Sequence, residues 1–269
     1  MASTRKLWIA TTVCAALALT ATGCSKGGDG KAEAGKDKKA SPSAPAPSPS
    51  PVDPFAGLDA DAIADKAIEA NKAASSMHAV GTIKADGESV DIDFSADTKG
   101  ACNGKMTLNE GTAELRKVQP SMYVKGDEKF WTNAAAEDGT PRAEAVAMAE
   151  VMKGRWIKMS AKEAGSDFDM VCNNETMMKE LDKDKSDRKG MTRGADADVD
   201  GVPAATLVKR DADGGTLTFY VAKEGKPYLL KAETVGGKDA GLMTFSEFDK
   251  PVVATAPPAD QMLDMSKLG

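Results

Sequence analysis

The chain carries one histidine, His78, and four cysteines, so few of its side chains could support nucleophilic or metal chemistry. A serine triad would depend on that single imidazole, and a metal site with several histidines cannot form within one chain. His78 lies at the start of a predicted strand, where a structural or exposed role suits the ring better than catalysis. We therefore predict a protein that is not an enzyme, with no catalytic residue, no metal ligand set and no cofactor.

A second group of interest is the acidic stretch with carboxylates at Asp196, Asp198 and Asp200. Alternating carboxylates of this kind form the first half of a calcium-binding loop, in which they converge on one ion. The twelfth position should supply a bidentate glutamate, but it is Leu207, inside a predicted strand. We predict a solvated acidic turn, and the sequence leaves cation binding there open.

The N-terminal residues read as a secretory leader, with Arg5 and Lys6 before an apolar run over 7–21. Residues 21–24, Ala-Thr-Gly-Cys, resemble the bacterial lipobox, in which small residues precede a cysteine that receives a diacylglyceryl group and becomes the new N-terminus. We expect Cys24 to be acylated, with palmitate among its acyl chains. The protein would then be anchored at the outer face of a bacterial cytoplasmic membrane, because two or more acyl chains make a stable membrane anchor. A plain secreted protein and a spanning helix are the alternatives, although the apolar run is near the lower limit for a span.

The remaining cysteines fit an oxidising compartment. Cys14 would leave with the leader and Cys24 would be lipidated, so Cys102 and Cys172 remain to pair with each other. A bridge that closes a loop of about 70 residues would stabilise the fold by about 4 kcal/mol in the loop-entropy account. A catalytic thiol is the competing interpretation, but no His/Asn pattern accompanies either cysteine.

Charge and composition limit the partners. Lys and Arg total 35 against 41 Asp and Glu, giving a net charge of −6 that becomes −8 without Arg5 and Lys6. This sign argues against nucleic acid and anionic lipid surfaces. Aromatic residues make up 5% of the chain, whereas there are 14 methionines, so the interior must use small and flexible side chains. Such an interior can adapt its shape.

Three regions follow from composition: a leader over 1–23, a Pro/Ser/Ala-rich tether over 24–57 and a folded domain over 58–269. The tether lacks apolar periodicity and cannot bury a core, so we predict a disordered spacer. The domain opens with an amphipathic helix over 59–75. Short strands with period-two alternation follow, separated by Gly-containing turns. One of these predicted strands is Lys129–Thr132.

Helices interrupt the strands as a block. Pro141 begins one predicted helix, and a second covers about 174–183. Many antiparallel strands with such a block indicate an α+β fold, a curved sheet or half-barrel with helices on its concave face. We expect a cavity between sheet and helices, lined by residues from both layers. The predicted lining residues are Ile92, Phe94, Val146, Ala149, Met152, Met177 and Phe219.

Several short segments carry a family resemblance that periodicity alone does not reveal. They are MYVKG at 122–126, FW at 130–131, GRW at 154–156, VDGVPA at 199–204, GKPYLL at 225–230, TFSEFD at 244–249 and APP at 256–258. Together they resemble actinobacterial lipoproteins of the LppX/LprAFG family. The resemblance implies a half-barrel akin to the carriers LolA and LolB, with an apolar cavity for acyl chains and a role in lipid carriage.

Two functions remain in competition at this point. The first is a monomeric, membrane-anchored lipoprotein that binds a lipid or another amphipathic molecule in an open cavity. The second is an envelope interaction or regulatory module that uses the same fold with a filled core. A continuous void along the sheet would favour carriage, whereas a filled core would favour interaction. The sequence names neither ligand nor protein partner.

Overall fold

The computed structural model describes residues 53–85, 87–160, 171–181, 189–238 and 240–263. The predicted leader, Cys24 and residues 24–52 of the predicted tether lie outside the described residues. Within them, no helix has the length and apolar character needed to cross a membrane.

The described strands form one antiparallel sheet, in which only the short C-terminal strand pairs in parallel. Its order is β13-β6-β5-β4-β3-β2-β1-β12-β11-β10-β9-β7, and β8 also pairs with β9. The strands are β1 Ser76–Ala85, β2 Glu88–Asp97, β3 Cys102–Leu108, β4 Gly111–Val118, β5 Ser121–Gly126, β6 Trp156–Ser160, β7 Thr192–Arg193, β8 Ala197–Val199, β9 Val202–Arg210, β10 Thr216–Ala222, β11 Leu229–Val235, β12 Gly241–Ser246 and β13 Met262–Leu263. The helices among the described residues are α1 Ala60–Lys72, α2 Glu128–Glu137, α3 Arg142–Met152 and α4 Asn174–Leu181, with a 3-10 turn at Ala259–Gln261.

The predicted α+β class is confirmed, and the sheet is large, open and curved. Period two explains its two faces: in β2, Val90, Ile92 and Phe94 are buried, while the residues between them are more exposed. Cross-strand register extends this inner face, since Ile92 lies opposite Met106 of β3 and Gly81 of β1. The helices pack over this face.

Helix α1 fills one half of the inner face. The carboxylate of Asp59 caps it by accepting a hydrogen bond from the N–H of Ala62 at 2.7 Å. Its buried stripe is built mostly from alanine and isoleucine, which lets the helix approach strands β10 and β11 closely. The stripe consists of Ala60, Ile63, Ala64, Ala67, Ile68 and Asn71.

The predicted strand Lys129–Thr132 is wrong, because these residues lie in helix α2. The side chain of Asp127 accepts a hydrogen bond from the N–H of Phe130 at 2.8 Å and starts the helix directly after β5. The turn over 138–141 then leads into α3, with Pro141 at the start of that helix as predicted. The two helices pack against each other as a hairpin.

The predicted disulfide is confirmed. Cys102, the first residue of β3, is bonded to Cys172 with a Cα–Cα distance of 5.4 Å, and both residues are buried. Cys172 lies just before α4, which packs against α1. The bridge therefore joins the sheet to the helical layer across a sequence separation of 70 residues.

The folded part begins before residue 58. Phe55 is buried in the core, and Asp53 forms an ion pair of 2.7 Å with Arg193. The hydrogen bond from Arg193 holds the pKa of the Asp53 carboxyl below its usual value. Residues 53–57, which composition assigns to the tether, are therefore packed against the domain because they carry one large apolar anchor and one ion pair.

The C-terminal residues cross the outer face of the sheet from the end of β12 toward β6. Midway, the side-chain amide of Asn103 donates a hydrogen bond of 2.6 Å to the carbonyl of Val253. Met262 and Leu263 then pair with Trp156 and Ile157 of β6. We call residues 250–263 the C-terminal strap.

Candidate ligand cavity

The cavity lies under α2, and two glycines of the sheet bring the start of this helix close to the strands. A Cβ atom on Gly111 would lie 2.5 Å from the backbone nitrogen of Phe130, and one on Gly126 would lie 2.4 Å from the Phe130 ring. Only glycine permits such an approach at both positions. The indole Nε1 of Trp131 also lies beside Gly126 and is buried without a hydrogen-bond partner in the described part of the chain.

Polar contacts fix the same end of the helix to the neighbouring strands. The carboxylate of Asp127 accepts a second hydrogen bond, at 2.9 Å, from the N–H of Thr112 in β4. Lys129 pairs with Glu110 at 2.5 Å, and this contact lowers the pKa of Glu110 and raises that of Lys129. Lys153 contacts Glu128 at 3.1 Å from the end of α3. The N-terminal end of α2 is therefore the anchored end.

Beyond its first turn α2 spans a hollow. None of its ten residues is fully buried, although its inner side carries Phe130, Trp131 and Ala134. A cavity of about 210 Å³ separates it from strands β3, β5 and β6. The lining residues are Met106, Leu108, Val124, Phe130, Trp131, Asn133, Ala134, Glu137 and Met159. For scale, an engineered apolar cavity of about 150 Å³ stays dry and admits benzene.

The lining is arranged along the helix. Phe130, Asn133, Ala134 and Glu137 recur at three- and four-residue spacing, so they share the side of α2 that faces the sheet. The first is aromatic and half-buried, whereas Glu137 is an exposed carboxylate in the last turn. The cavity therefore has an apolar end at Phe130 and a polar end about 10 Å away at Glu137, given 1.5 Å of rise per residue.

None of the seven predicted lining residues lines this cavity. Ile92, Phe94 and Phe219 do point to the inner face, but they are packed in the solid core with at most 6% of their surface exposed. Met177 packs against the edge of the same core. Residues from other strands and from α2 surround the void instead.

The three predicted positions on α3 have different surroundings. Ala149 is fully buried, Met152 is half-buried, and Val146 is 40% exposed. Alanines at 145 and 149, rather than the larger residues, form the contact side of α3. Val146 is therefore wrong as an inward-facing residue, since short side chains allow the helices of the hairpin to pack closely.

The two tryptophans of the described domain have separate roles. Trp131 lines the cavity, whereas Trp156 lies on the outer face beside the C-terminal strap and is 1% exposed. The guanidinium of Arg116 lies 4.5 Å from the Trp156 ring centroid, a cation–π contact. Trp156 thus serves as an anchor for the strap and is too covered to contact a ligand.

His78 lies on the outer face of β1, away from the cavity. Its Nε2 is 2.8 Å from a carboxylate oxygen of Asp93, and its Nδ1 is 3.5 Å from the hydroxyl of Ser246. A serine nucleophile needs a close hydrogen bond to its base and donors for an oxyanion, and this long contact on a strand face offers neither. The arrangement is a cross-strand polar cluster.

The acidic turn is engaged in local contacts. Asp196 pairs with Lys223 and with Arg193, and these contacts lower its pKa. Asp198 accepts a hydrogen bond from the N–H of Gly201 at 2.6 Å, which closes the turn between β8 and β9. Among the described residues, no group of three or more acidic, histidine or cysteine side chains has the geometry to hold a metal ion.

Two mycobacterial proteins are among the solved structures to which this chain is similar. LppX of Mycobacterium tuberculosis is 16% identical over 73% of this chain and 98% of its own, with a TM-score of 0.42. LprF of Mycobacterium bovis is 14% identical over 74% of this chain and 96% of its own, with a TM-score of 0.48. This chain is similar to these two mycobacterial lipoproteins.

A more distant match is a putative outer membrane lipoprotein-sorting protein domain from Vibrio parahaemolyticus, 12% identical over 75% of this chain and 80% of that one, with a TM-score of 0.25. No family model matches the sequence, and no curated protein matches it.

Proposed function

We propose that this protein is a non-enzymatic, monomeric lipoprotein that shelters an acyl chain or similar apolar group under α2. The observation that supports this function is a ten-residue helix laid over the sheet with no fully buried side chain and a cavity beneath it. Core layers normally close such a gap with side chains, because an empty apolar space loses dispersion contacts. A ligand would restore those contacts.

The chemistry of the walls suits an acyl chain. Methionine, leucine, valine and aromatic side chains provide apolar surface, and the methionines Met106 and Met159 can adapt to a flexible chain. Each methylene group transferred from water is worth about 0.8 kcal/mol. Even a short buried stretch of chain would therefore contribute several kcal/mol to binding.

A filling variant tests this function with a matched control. Ala134 lines the cavity, whereas Ala136 is exposed on the same helix. We expect Ala134→Trp in the mature chain, 24–269 with Cys24→Ala, to abolish binding of the neutral fluorescent probe N-phenyl-1-naphthylamine. Ala136→Trp should bind as the parent does, and melting curves should show both variants folded. Equal binding by both, or none by the parent, would overturn the proposal.

The anchor is a separate part of the proposal. We propose that an acylated Cys24 holds the protein on the outer face of the cytoplasmic membrane, as the lipobox-like residues suggest. Cys24→Ala should then release the protein from the membrane fraction into the medium. Membrane retention of the processed variant would contradict this anchor without bearing on the cavity.

A second candidate is an envelope interaction module. It is favoured by α3, where Val146, Met148 and Val151 are 40–46% exposed, and by the filled half of the core under α1. Three apolar side chains on one short helix are more than a solvated helix requires. If the probe fails to bind the parent chain, this candidate becomes the leading one.

A further inference from the structure

The residues that line the cavity indicate which polar group a ligand should carry. This inference rests on the function proposed above. Among the nine lining residues, Glu137 is the one charged group. Asn133, one turn earlier, commits its amide N–H₂ to the carbonyl of Asn109 at 3.1 Å. The oxygen of that amide remains as an acceptor. The two polar groups toward the Glu137 end of the lining therefore offer acceptors to a ligand, whereas the unpaired donor of the lining, the indole N–H of Trp131, lies beside Gly126 at the Phe130 end.

The backbone of α2 also contributes negative charge at the Glu137 end of the cavity. Glu137 is the last residue of α2 and lies at the negative end of the helix dipole. The N–H groups of Asp138, Gly139 and Thr140 pair with the carbonyls of residues 134–136 there. The last turn contains no basic residue that would offset it. Asp138 follows directly and is exposed. A cation is favoured at such a helix end, and an anion is disfavoured.

The basic residues of the α2–α3 hairpin do not neutralise the negative charge at the Glu137 end of the cavity. Lys129 and Lys153 belong to the anchored end of α2, and both are paired with carboxylates. Arg142 lies in the first turn of α3, nearer to Glu137, but it does not line the cavity. Within the described residues no ion pair or hydrogen bond engages the Glu137 carboxylate. With respect to the described residues, that carboxylate is available to a ligand.

We propose that the cavity selects a single-chain amphiphile with a cationic, hydrogen-bond-donating head, such as a primary ammonium. Its chain would lie toward Phe130 and Met106, and its head would contact Glu137 and the amide oxygen of Asn133 at the rim. A chain that ends in a carboxylate or phosphate would place like charges together at that rim. The volume of about 210 Å³ suits one chain rather than several.

Competition against bound N-phenyl-1-naphthylamine tests the selectivity, with decylammonium, decanoate and decanol as probes of equal chain length. We expect decylammonium to bind about five-fold more tightly than decanoate at low ionic strength, a ratio that an exposed charge contact can supply. The preference should shrink in high salt, since the rim is open to solvent. Decanol, which has no charge, should bind with intermediate affinity.

Two glutamate variants separate a local effect from the net negative charge of the protein. Glu137→Gln should remove most of the preference for decylammonium, whereas Glu144→Gln changes the net charge equally at an exposed residue outside the lining. A preference that is absent, reversed, or lost equally in both variants would overturn the inference. Binding of decanol in that case would leave the proposed acyl-chain function standing, and no binding of any probe would overturn both.

Discussion

Asn71 is a polar residue in the buried stripe of α1. Its side-chain amide makes two hydrogen bonds with the backbone of Leu229, as a neighbouring strand would. Its Nδ2 donates to the carbonyl of Leu229 at 3.1 Å, and its Oδ1 accepts from the N–H of Leu229 at 2.9 Å. Leu229 lies opposite Val221 where the register between β10 and β11 shifts. The side chain thus satisfies the backbone at an irregular point of the sheet, which buried peptide groups require.

Replacing Asn71 should therefore cost far more than an average surface change. Asn71→Leu keeps the approximate volume but leaves a buried N–H and a buried carbonyl of Leu229 unpaired, so we expect a loss of about 2–4 kcal/mol in the free energy of unfolding. Lys66→Ala, at an exposed position of the same helix, should change it little. Urea unfolding measures both, and a loss below about 1 kcal/mol for Asn71→Leu would contradict this account.

Asp249 ties three parts of the chain together beyond β12. Its carboxylate accepts hydrogen bonds from the N–H of Ser75 at 2.9 Å, from Lys226 at 2.7 Å and from the hydroxyl of Tyr228 at 2.7 Å. These contacts, first of all that from Lys226, hold the pKa of Asp249 far below its usual value. A lowered pKa in the folded state means that the ionised carboxylate stabilises the fold.

The sign of the pH effect follows from that shift. The stabilisation should be complete above the unfolded pKa of about 3.9 and should be lost as pH falls further toward the lower folded value. Asp249→Asn should therefore unfold at lower urea than the parent at pH 7, and the two should converge in acid. Asp260→Asn, at an exposed position, serves as the control. An unchanged gap between parent and Asp249→Asn from pH 7 to pH 2.5 would refute this role.

The sequence predicted individual inward-facing residues better than it predicted the void. Alternation placed Ile92, Phe94 and Phe219 on the inner face correctly, because period two depends only on the local strand. Which part of that face is hollow depends on Gly111 and Gly126. These glycines lie against α2 in the folded chain, and local sequence patterns do not show that contact. Asn71 was missed for the same reason, since its partner is 158 residues away.

At the scale of elements, α2 was the main error. Four residues such as Lys129–Thr132 are too short to separate a period of two from one of 3.6. Asp127 three residues before Phe130 and the alanines at 134–136 are the helix signals that the sequence offered. Gly126-Asp127 matches the Gly-containing turns that separate the predicted strands, and this interpretation concealed the N-cap.

Helices α1 and α2 both begin with an aspartate N-cap, but they cover different halves of the sheet. Asp59 caps α1 over a filled core, and Asp127 caps α2 over the hollow. A helix that buries few side chains depends more on its cap and its end contacts, because tertiary packing supplies most helix stability. We expect α2 and α3 to open locally more readily than α1.

Paired cap variants test that difference. Asp127→Ala and Asp59→Ala should each lose about 1 kcal/mol of helix stability. In Asp127→Ala, amide hydrogen exchange should accelerate chiefly over 128–152, with small change in α1 and the filled core. In Asp59→Ala, the loss should appear in global unfolding. Uniform acceleration across the domain in Asp127→Ala would show that the hairpin is not an independent unit.

At the scale of the whole molecule, the inner face combines the two arrangements that the sequence set against each other. The half under α1 is a filled core, and the half under α2 encloses a cavity. Open and filled are therefore not exclusive arrangements of this inner face, because each describes one half of it. The proposed ligand would therefore occupy the half under α2 while the solid half keeps the sheet folded, without rearrangement of the core.

The disulfide connects these two halves. The loop that it closes contains the rest of β3, strands β4–β6 and the α2–α3 hairpin, which together form the hollow half. Its far end, Cys172, precedes α4, which packs on α1 in the filled half. Closing a loop of this length lowers the entropy of the unfolded chain, and the weakly packed half gains most from such a constraint.

The double variant Cys102→Ala/Cys172→Ala should therefore lose about 4 kcal/mol in the free energy of unfolding, as the loop-entropy account predicts for about 70 residues. It avoids the unpaired buried thiol that a single substitution would leave. The hollow half should respond first, so binding of N-phenyl-1-naphthylamine should decline at urea concentrations that leave α1 protected from exchange. The parent chain reduced with a phosphine is the matched control and should behave like the double variant. Equal urea midpoints for oxidised and reduced protein, with probe binding lost only at global unfolding, would show that the hollow half holds its shape without the bridge.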